Sequence, residues 1–174
     1  MIYFKKIAFG EDVDRQQFEQ AIRKFTSKRT ASLDFLSAIS NVGLSKYFIG
    51  NDGKRAIKFT RIRTSFEKIL PKLIVSFPKN EEFNYYKIRL SVPSTIVLFF
   101  LVVLSFATIP QQTTITNPEK LGILCALGIY VLFIFLEIKL TDLRIKKAIQ
   151  KSIESIIFAD NSLNNSINYY SKNQ

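Results

Sequence analysis

Two stretches of the chain carry no charge: Val92 to Ile109, VPSTIVLFFLVVLSFATI, and Leu121 to Leu136, LGILCALGIYVLFIFL. Their wealth of Val, Ile and Phe would also suit buried strands, but runs of this length favour helices, the form in which a backbone satisfies itself inside lipid. At ~1.5 Å per residue the first run reaches about 27 Å, close to the ~30 Å of a hydrocarbon core, and Ile138 and Leu140 lengthen the second. Pro93 falls in a first helical turn, where its missing N–H costs nothing, and Pro110 closes the run. The polar stretch PQQTTITNPEK follows. The pattern predicts a transmembrane helical hairpin over 92–138, with spans 92–109 and 121–138 and a loop at 110–120.

Before the hairpin the apolar period changes twice. Residues 2–9 read as a strand, and Phe18, Ala21, Ile22 and Phe25 mark an amphipathic helix. The stretch Thr26 to Asn41 is rich in Ser and Thr, with Leu33, Leu36 and Ile39 at the spacing of a short helix. Asn51-Asp52-Gly53 supplies turn chemistry between two β-prone segments, 46–50 and 55–63. Leu73, Val75 and Phe77 alternate, as do Tyr86, Ile88 and Leu90, with a turn at Pro78 to Glu82. Lys87 and Arg89 then lie on the opposite face of the last strand. Beyond the hairpin, Ile145, Ile149, Ile153 and Ile156 recur at helical spacing. Such a stripe needs a partner surface, so 139–159 is expected to be an amphipathic helix packing on the sheet. Asn- and Ser-rich 160–174 reads as a flexible tail. The expected fold class is an α+β membrane protein: a small juxtamembrane antiparallel sheet with helices in a module over 1–91, interrupted by a two-helix transmembrane hairpin.

Charge orients this arrangement. Of 25 Lys and Arg, 18 precede residue 92, Lys120 alone lies between the runs, and six follow from Lys139. The positive-inside rule places both termini in the cytoplasm and makes the chain a multi-pass protein of the plasma (inner) membrane. Lys5 and Lys6 break the first apolar stretch before the h-region of a signal peptide could form.

The order strand, helix, three or four strands, membrane hairpin, helix resembles small uncharacterised bacterial two-span membrane proteins with a compact cytoplasmic α+β domain. FTRIRTSFEKILP at Phe59 to Pro71 and the junction YYKIRLSVPS carry the likeness, over roughly residues 44–136. It implies an architecture and no activity.

Candidate chemistry is sparse. The chain has no His and one Cys, Cys125. This removes His-dependent triads and most metal sites, and a Cys within an apolar run reads as a small buried residue. Glu81 and Glu82 are adjacent, so they point apart rather than forming an acid/base dyad, and no glycine pattern cradles phosphate. No cofactor and no metal are expected, and an enzyme is not. The net charge of +11 and the basic residues Arg55, Lys58, Arg61, Arg63, Lys87 and Arg89 point to membrane lipids, with anionic headgroups worth ~1 kcal/mol per cation near the surface. An acidic protein partner or a homo-oligomer comes next, and nucleic acid is disfavoured. Gly122, Ala126 and Gly128 offer small faces for helix packing. Glu137 is an acid at the edge of the second span, expected to pair with Lys139, Lys87 or Arg89. The function classes that remain are a non-catalytic membrane-anchored binding or accessory module, then a small oligomeric pore or transport accessory, then an enzyme on a lipid substrate.

Overall fold

The computed structural model describes residues 5–8, 14–35, 45–80, 85–108 and 118–171. It is an α+β arrangement of six strands and three α-helices: β1 (Lys5–Ala8), α1 (Arg15–Phe25), β2 (Thr26–Lys28), β3 (Phe48–Asp52), β4 (Ala56–Arg61), β5 (Leu73–Pro78), β6 (Tyr85–Leu90), α2 (Val92–Thr108) and α3 (Pro118–Ser171). The sheet order is β1-β6-β5-β4-β3-β2. Strands β3 to β6 form an antiparallel meander; β1 joins it antiparallel to β6, and β2 joins the other edge parallel to β3.

Strand β2 is short and polar, and the sequence reading missed it. The end of α1 holds it in place: Tyr47 N–H donates to the Phe25 carbonyl at 3.0 Å, and Arg29 N–H to the Gly50 carbonyl at 2.8 Å. Gly50 makes this edge possible. A Cβ there would lie 2.6 Å from Thr26 Cγ2 and 2.8 Å from the Lys58 carbonyl oxygen, so any side chain would push β2 and β4 apart. Leu33 is described in the turn that follows β2, whereas Leu36, Ile39, Glu81 and Glu82 lie outside the described residues.

Period-two alternation gives the sheet two unlike faces. One face presents Phe48, Phe59, Val75, Phe77, Ile88 and Leu90 to α1 and α3. Phe18 of α1 sits at its centre, its ring 5.0 Å from that of Phe77 and 5.6 Å from that of Tyr86. From α3 come Ile145, Ala148 and Ile149, with Ile153 half-buried beside them. Each fully buried side chain of this size contributes roughly 1.5–3 kcal/mol. The other face has a smaller cluster, Leu33, Ile49 and Ile74. Beside it, strand register aligns Lys58, Ser76, Lys87 and Lys6 in one row.

The helices depart from the expected hairpin. Among the described residues only α3 is long and apolar enough to cross a membrane, and just 6% of its most apolar window is buried. Helix α2 has 17 residues, about 25 Å, so a hairpin of two spans is not established by length and composition. The two helices do touch, Tyr130 Oη donating to the Ser94 carbonyl at 2.8 Å. Helix α3 has 54 residues and runs through the expected second span and the 139–159 helix without a break. It also continues to Ser171, where composition suggests a flexible tail. Extending an existing helix adds one hydrogen bond per residue fixed, so weak helix formers can be carried along.

Candidate functional site

The richest concentration of charge lies where the sheet meets the two long helices. Strand β6 ends at Leu90 and α2 begins at Val92, so this end of the sheet is tied to the helices by a single residue. The connection from β4 to β5 is bound to the same point. Ser91 N–H donates to the Lys72 carbonyl at 2.8 Å, and Lys72 N–H to Ser94 Oγ at 2.9 Å. Within the connection, Phe66–Ile69 forms one turn of 3-10 helix.

Arg61 is the last residue of β4. Alternation sends it to the helix-covered face, where it meets Glu137 of α3: Nη2 donates to Oε2 at 2.7 Å and Nε to Oε1 at 3.3 Å. Its Nη1 donates to Glu67 Oε1 at 2.7 Å, and Glu67 Oε2 accepts from Thr64 N–H at 2.8 Å. Arg61 and Glu137 are each 1% exposed. Arg63 lies close by, half-buried, its Nη1 on the Leu70 carbonyl and its Nε buried without a hydrogen-bond partner. Burial lowers the Arg63 pKa from its ordinary value. Two cations and two carboxylates thus meet in one compact cluster.

The expected partners of Glu137 were Lys139, Lys87 or Arg89; the partner is Arg61. Lys87 and Arg89 belong to the opposite face of the sheet, and Lys139 is exposed, two residues along and so most of the way round the helix.

A second pair occupies that opposite face. Arg89 Nη1 and Nη2 donate to Asp34 Oδ1 and Oδ2, both at 2.8 Å, and Asp34 Oδ1 also accepts from Val92 N–H at 2.9 Å. Asp34 therefore joins the turn after β2, strand β6 and the N-terminus of α2. The Arg89 guanidinium holds the Asp34 carboxyl below its ordinary pKa. Lys72 is buried nearby with Nζ donating to the Leu33 carbonyl, and burial lowers its pKa to about 8.

The six basic residues singled out from sequence do not form one surface. Arg61 and Arg89 are buried in ion pairs on opposite faces, and Arg63 is half-buried. Arg55 and Lys58 are exposed, and Lys87 lies half-buried with Nζ 5.4 Å from the Tyr85 ring centre. Closeness in sequence grouped what alternation separates. Asp34, Glu67 and Lys72 were missed. Asp34 lay in a stretch without a clear period, and no pattern pairs Glu67 with Arg61 or Lys72 with the start of α2.

On α3, Gly122, Ala126 and Gly128 are exposed, and a Cβ at either glycine would meet nothing within 4 Å. They do not bring α2 close. Cys125 is exposed as well, against the expectation of burial.

A cavity of about 570 Å³ opens between β1, α1 and α3, with Phe18, Phe135 and Ile145 among its apolar lining and Lys5, Lys139 and Lys146 around it. Two of its polar groups bind Asp142: Tyr86 Oη donates to Asp142 Oδ1 at 3.0 Å, and Lys146 pairs with Asp142 at 3.1 Å. Among the described residues no group of His, Cys, Asp and Glu could hold a metal ion. The chemistry on view is ion pairing between a sheet and two helices. A scan against protein-family models, a search of curated proteins and a search of solved structures each find no match to this chain.

Proposed function

We propose that the chain is an integral membrane protein that crosses the bilayer twice through α2 and α3, with both termini in the cytoplasm, and that its sheet domain is a non-catalytic binding or accessory module held at the membrane. One observation carries the reading. Helices α2 and α3 pack on each other yet turn Ile96, Phe99, Phe106, Leu124, Leu132 and Phe135 outward. A contiguous apolar surface of that extent is costly in water and favourable in lipid. The 18:1:6 division of Lys and Arg along the sequence supports the orientation.

The module reading is favoured over a pore because the polar groups of the two helices serve their own packing. Ser94 accepts from Tyr130, and Ser105 Oγ donates to the Leu101 carbonyl at 2.8 Å. Among the described residues no polar stripe is left to line a channel. An enzyme on a lipid substrate finds little support, since the buried carboxylates are committed to arginines. The exposed cations Lys6 and Lys58, in one row of the sheet, suit an acidic protein surface or anionic lipid as partner.

Topology is the test. In a Cys125→Ala background, single cysteines replace Thr114, Ser76 or Ser166, and intact cells are treated with an impermeant thiol reagent. The reading expects labelling at position 114 alone. Labelling of intact cells at 76 or 166 would overturn it.

A further inference from the structure

The turn at Phe66–Ile69 is out of keeping with a surface loop in water. Phe66 is 90% exposed and Ile69 73% exposed, although both sit in a connection pinned at each end. Arg61 holds Glu67 from one side, and Lys72 is bonded to Ser91 and Ser94 at the start of α2 from the other. The two apolar side chains are therefore displayed at a fixed level, that of Val92 and Glu137, where the apolar surface of α2 and α3 begins. Phe35 is 75% exposed on the other face of the sheet and is held at the same level by its neighbour Asp34, the acceptor for Val92 N–H.

We infer that this end of the domain is itself a membrane-contacting surface: Phe66 and Ile69, with Phe35 across the sheet, insert into the headgroup and acyl boundary of the bilayer. The inference rests on the membrane reading above and adds a site to it. Three arguments select lipid as the occupant. The apolar residues lie on both faces of the sheet around the emerging helices, and the one surface that meets both faces at once is the plane those helices enter. Phe66 and Ile69 belong to a connection hydrogen-bonded to Ser91 and Ser94, beside the residues at which the outward apolar surface of α2 starts. Exposed Lys68 lies between them, the side-chain alternation of an interfacial segment whose apolar groups dip while its cations stay at the headgroups. This membrane contact is apolar and is made by a turn, whereas the basic row of Lys6, Lys87 and Lys58 stands further along the strands.

The chain contains no Trp, so a single Trp can report its own depth. Phe66→Trp, Phe99→Trp and Phe158→Trp are made in the full-length protein and reconstituted into vesicles whose lipids carry bromine either near the glycerol or near the chain end. Phe99 lies outward on α2, and Phe158 is 77% exposed on α3, beyond the residues that cover the sheet. Side chains of interfacial segments sit ~5–10 Å into the boundary, so shallow bromine should quench Phe66→Trp about twofold or more above Phe158→Trp, and more than deep bromine does. If Phe99→Trp is quenched while Phe66→Trp matches Phe158→Trp, the turn does not touch lipid and the inference fails with the membrane reading intact. If neither Phe99→Trp nor Phe66→Trp is quenched, the membrane reading falls and takes the inference with it. A blue shift of Phe66→Trp that grows with protein-to-lipid ratio and ignores bromine identifies a second copy as occupant and also overturns it.

Discussion

Two buried arginine pairs stand on opposite faces of the same end of the sheet, and they hold different things. Arg61–Glu137 ties β4 to α3 across 76 residues, is almost fully buried, and has Glu67 as a third member. Arg89–Asp34 ties β6 to the turn after β2, is slightly more open, and lends one carboxylate oxygen to the first N–H of α2. The first pair fixes where a helix lies on the sheet. The second fixes where a helix starts. A buried ion pair gains little over well-packed apolar residues, but removing one partner strands a charge. The two sites should therefore respond differently to the same mutations.

The largest effect is expected at the closed pair. Glu137→Ala leaves Arg61 with only Glu67 and should lower stability in detergent by about 3–5 kcal/mol, measured by chemical or thermal unfolding of the sheet. Replacing both partners, Arg61→Met with Glu137→Leu, should recover most of that loss. The comparison is broken if the double variant is no better than the single.

Asp34→Ala should cost less, about 2–3 kcal/mol, because the site is more open and the loss combines a charged hydrogen bond with a helix cap. Here the apolar double variant Arg89→Met with Asp34→Leu should recover little, since Val92 N–H still lacks an acceptor. Equal recovery at both sites would show that the capping bond contributes nothing. Acid should reach this pair too: with the Asp34 pKa depressed in the folded state, its contribution is present above the ordinary carboxylate pKa and fades as pH falls through the lowered value.

Lys72 makes a contribution of opposite sign. Its pKa falls from 10.5 to about 8 on folding, so below about 8 the folded state bears the full penalty of burying the charge. Between about 8 and 10.5 the unfolded chain holds more protons, and stability should rise with pH across that window. Lys72→Met should abolish this slope, as unfolding midpoints over a pH series would reveal. The smallest effect belongs to the exposed pair of Arg23 and Asp52. Asp52→Ala should change stability by about 1 kcal/mol or less, and added salt should shrink the difference.

The apolar framework could be read in the sequence because it is periodic. Phe18, Ala21, Ile22 and Phe25 announce one face of α1. Leu73/Val75/Phe77 and Tyr86/Ile88/Leu90 announce strands, and Ile145 and Ile149 of α3 share the core cluster with them. What could not be read is pairwise. Arg61 looked like its basic neighbours Lys58 and Arg63, because alternation tells which residues share a face but not whether a helix covers that face at a given row. Glu137 was visible as an acid beside an apolar run. Its partner depended on the register of β4 against β5 and on the unbroken course of α3. Strand β2 gave no signal of its own, since three polar residues pair only because α1 delivers them beside Gly50.

That unbroken course has a mechanical consequence. From Ile129 to Ser171 the sequence contains neither Gly nor Pro, the residues at which helices bend most readily. The apolar segment and the part that lies on the sheet are consequently one stiff rod. A turn of the rod about its axis has no joint in which to dissipate. It must either drag Ile145 and Ile149 across the sheet or pull Glu137 away from Arg61. On the proposed membrane reading the buried pair is the latch on a lever whose far arm would lie in lipid, so a displacement of the helix there would be felt as strain in β4.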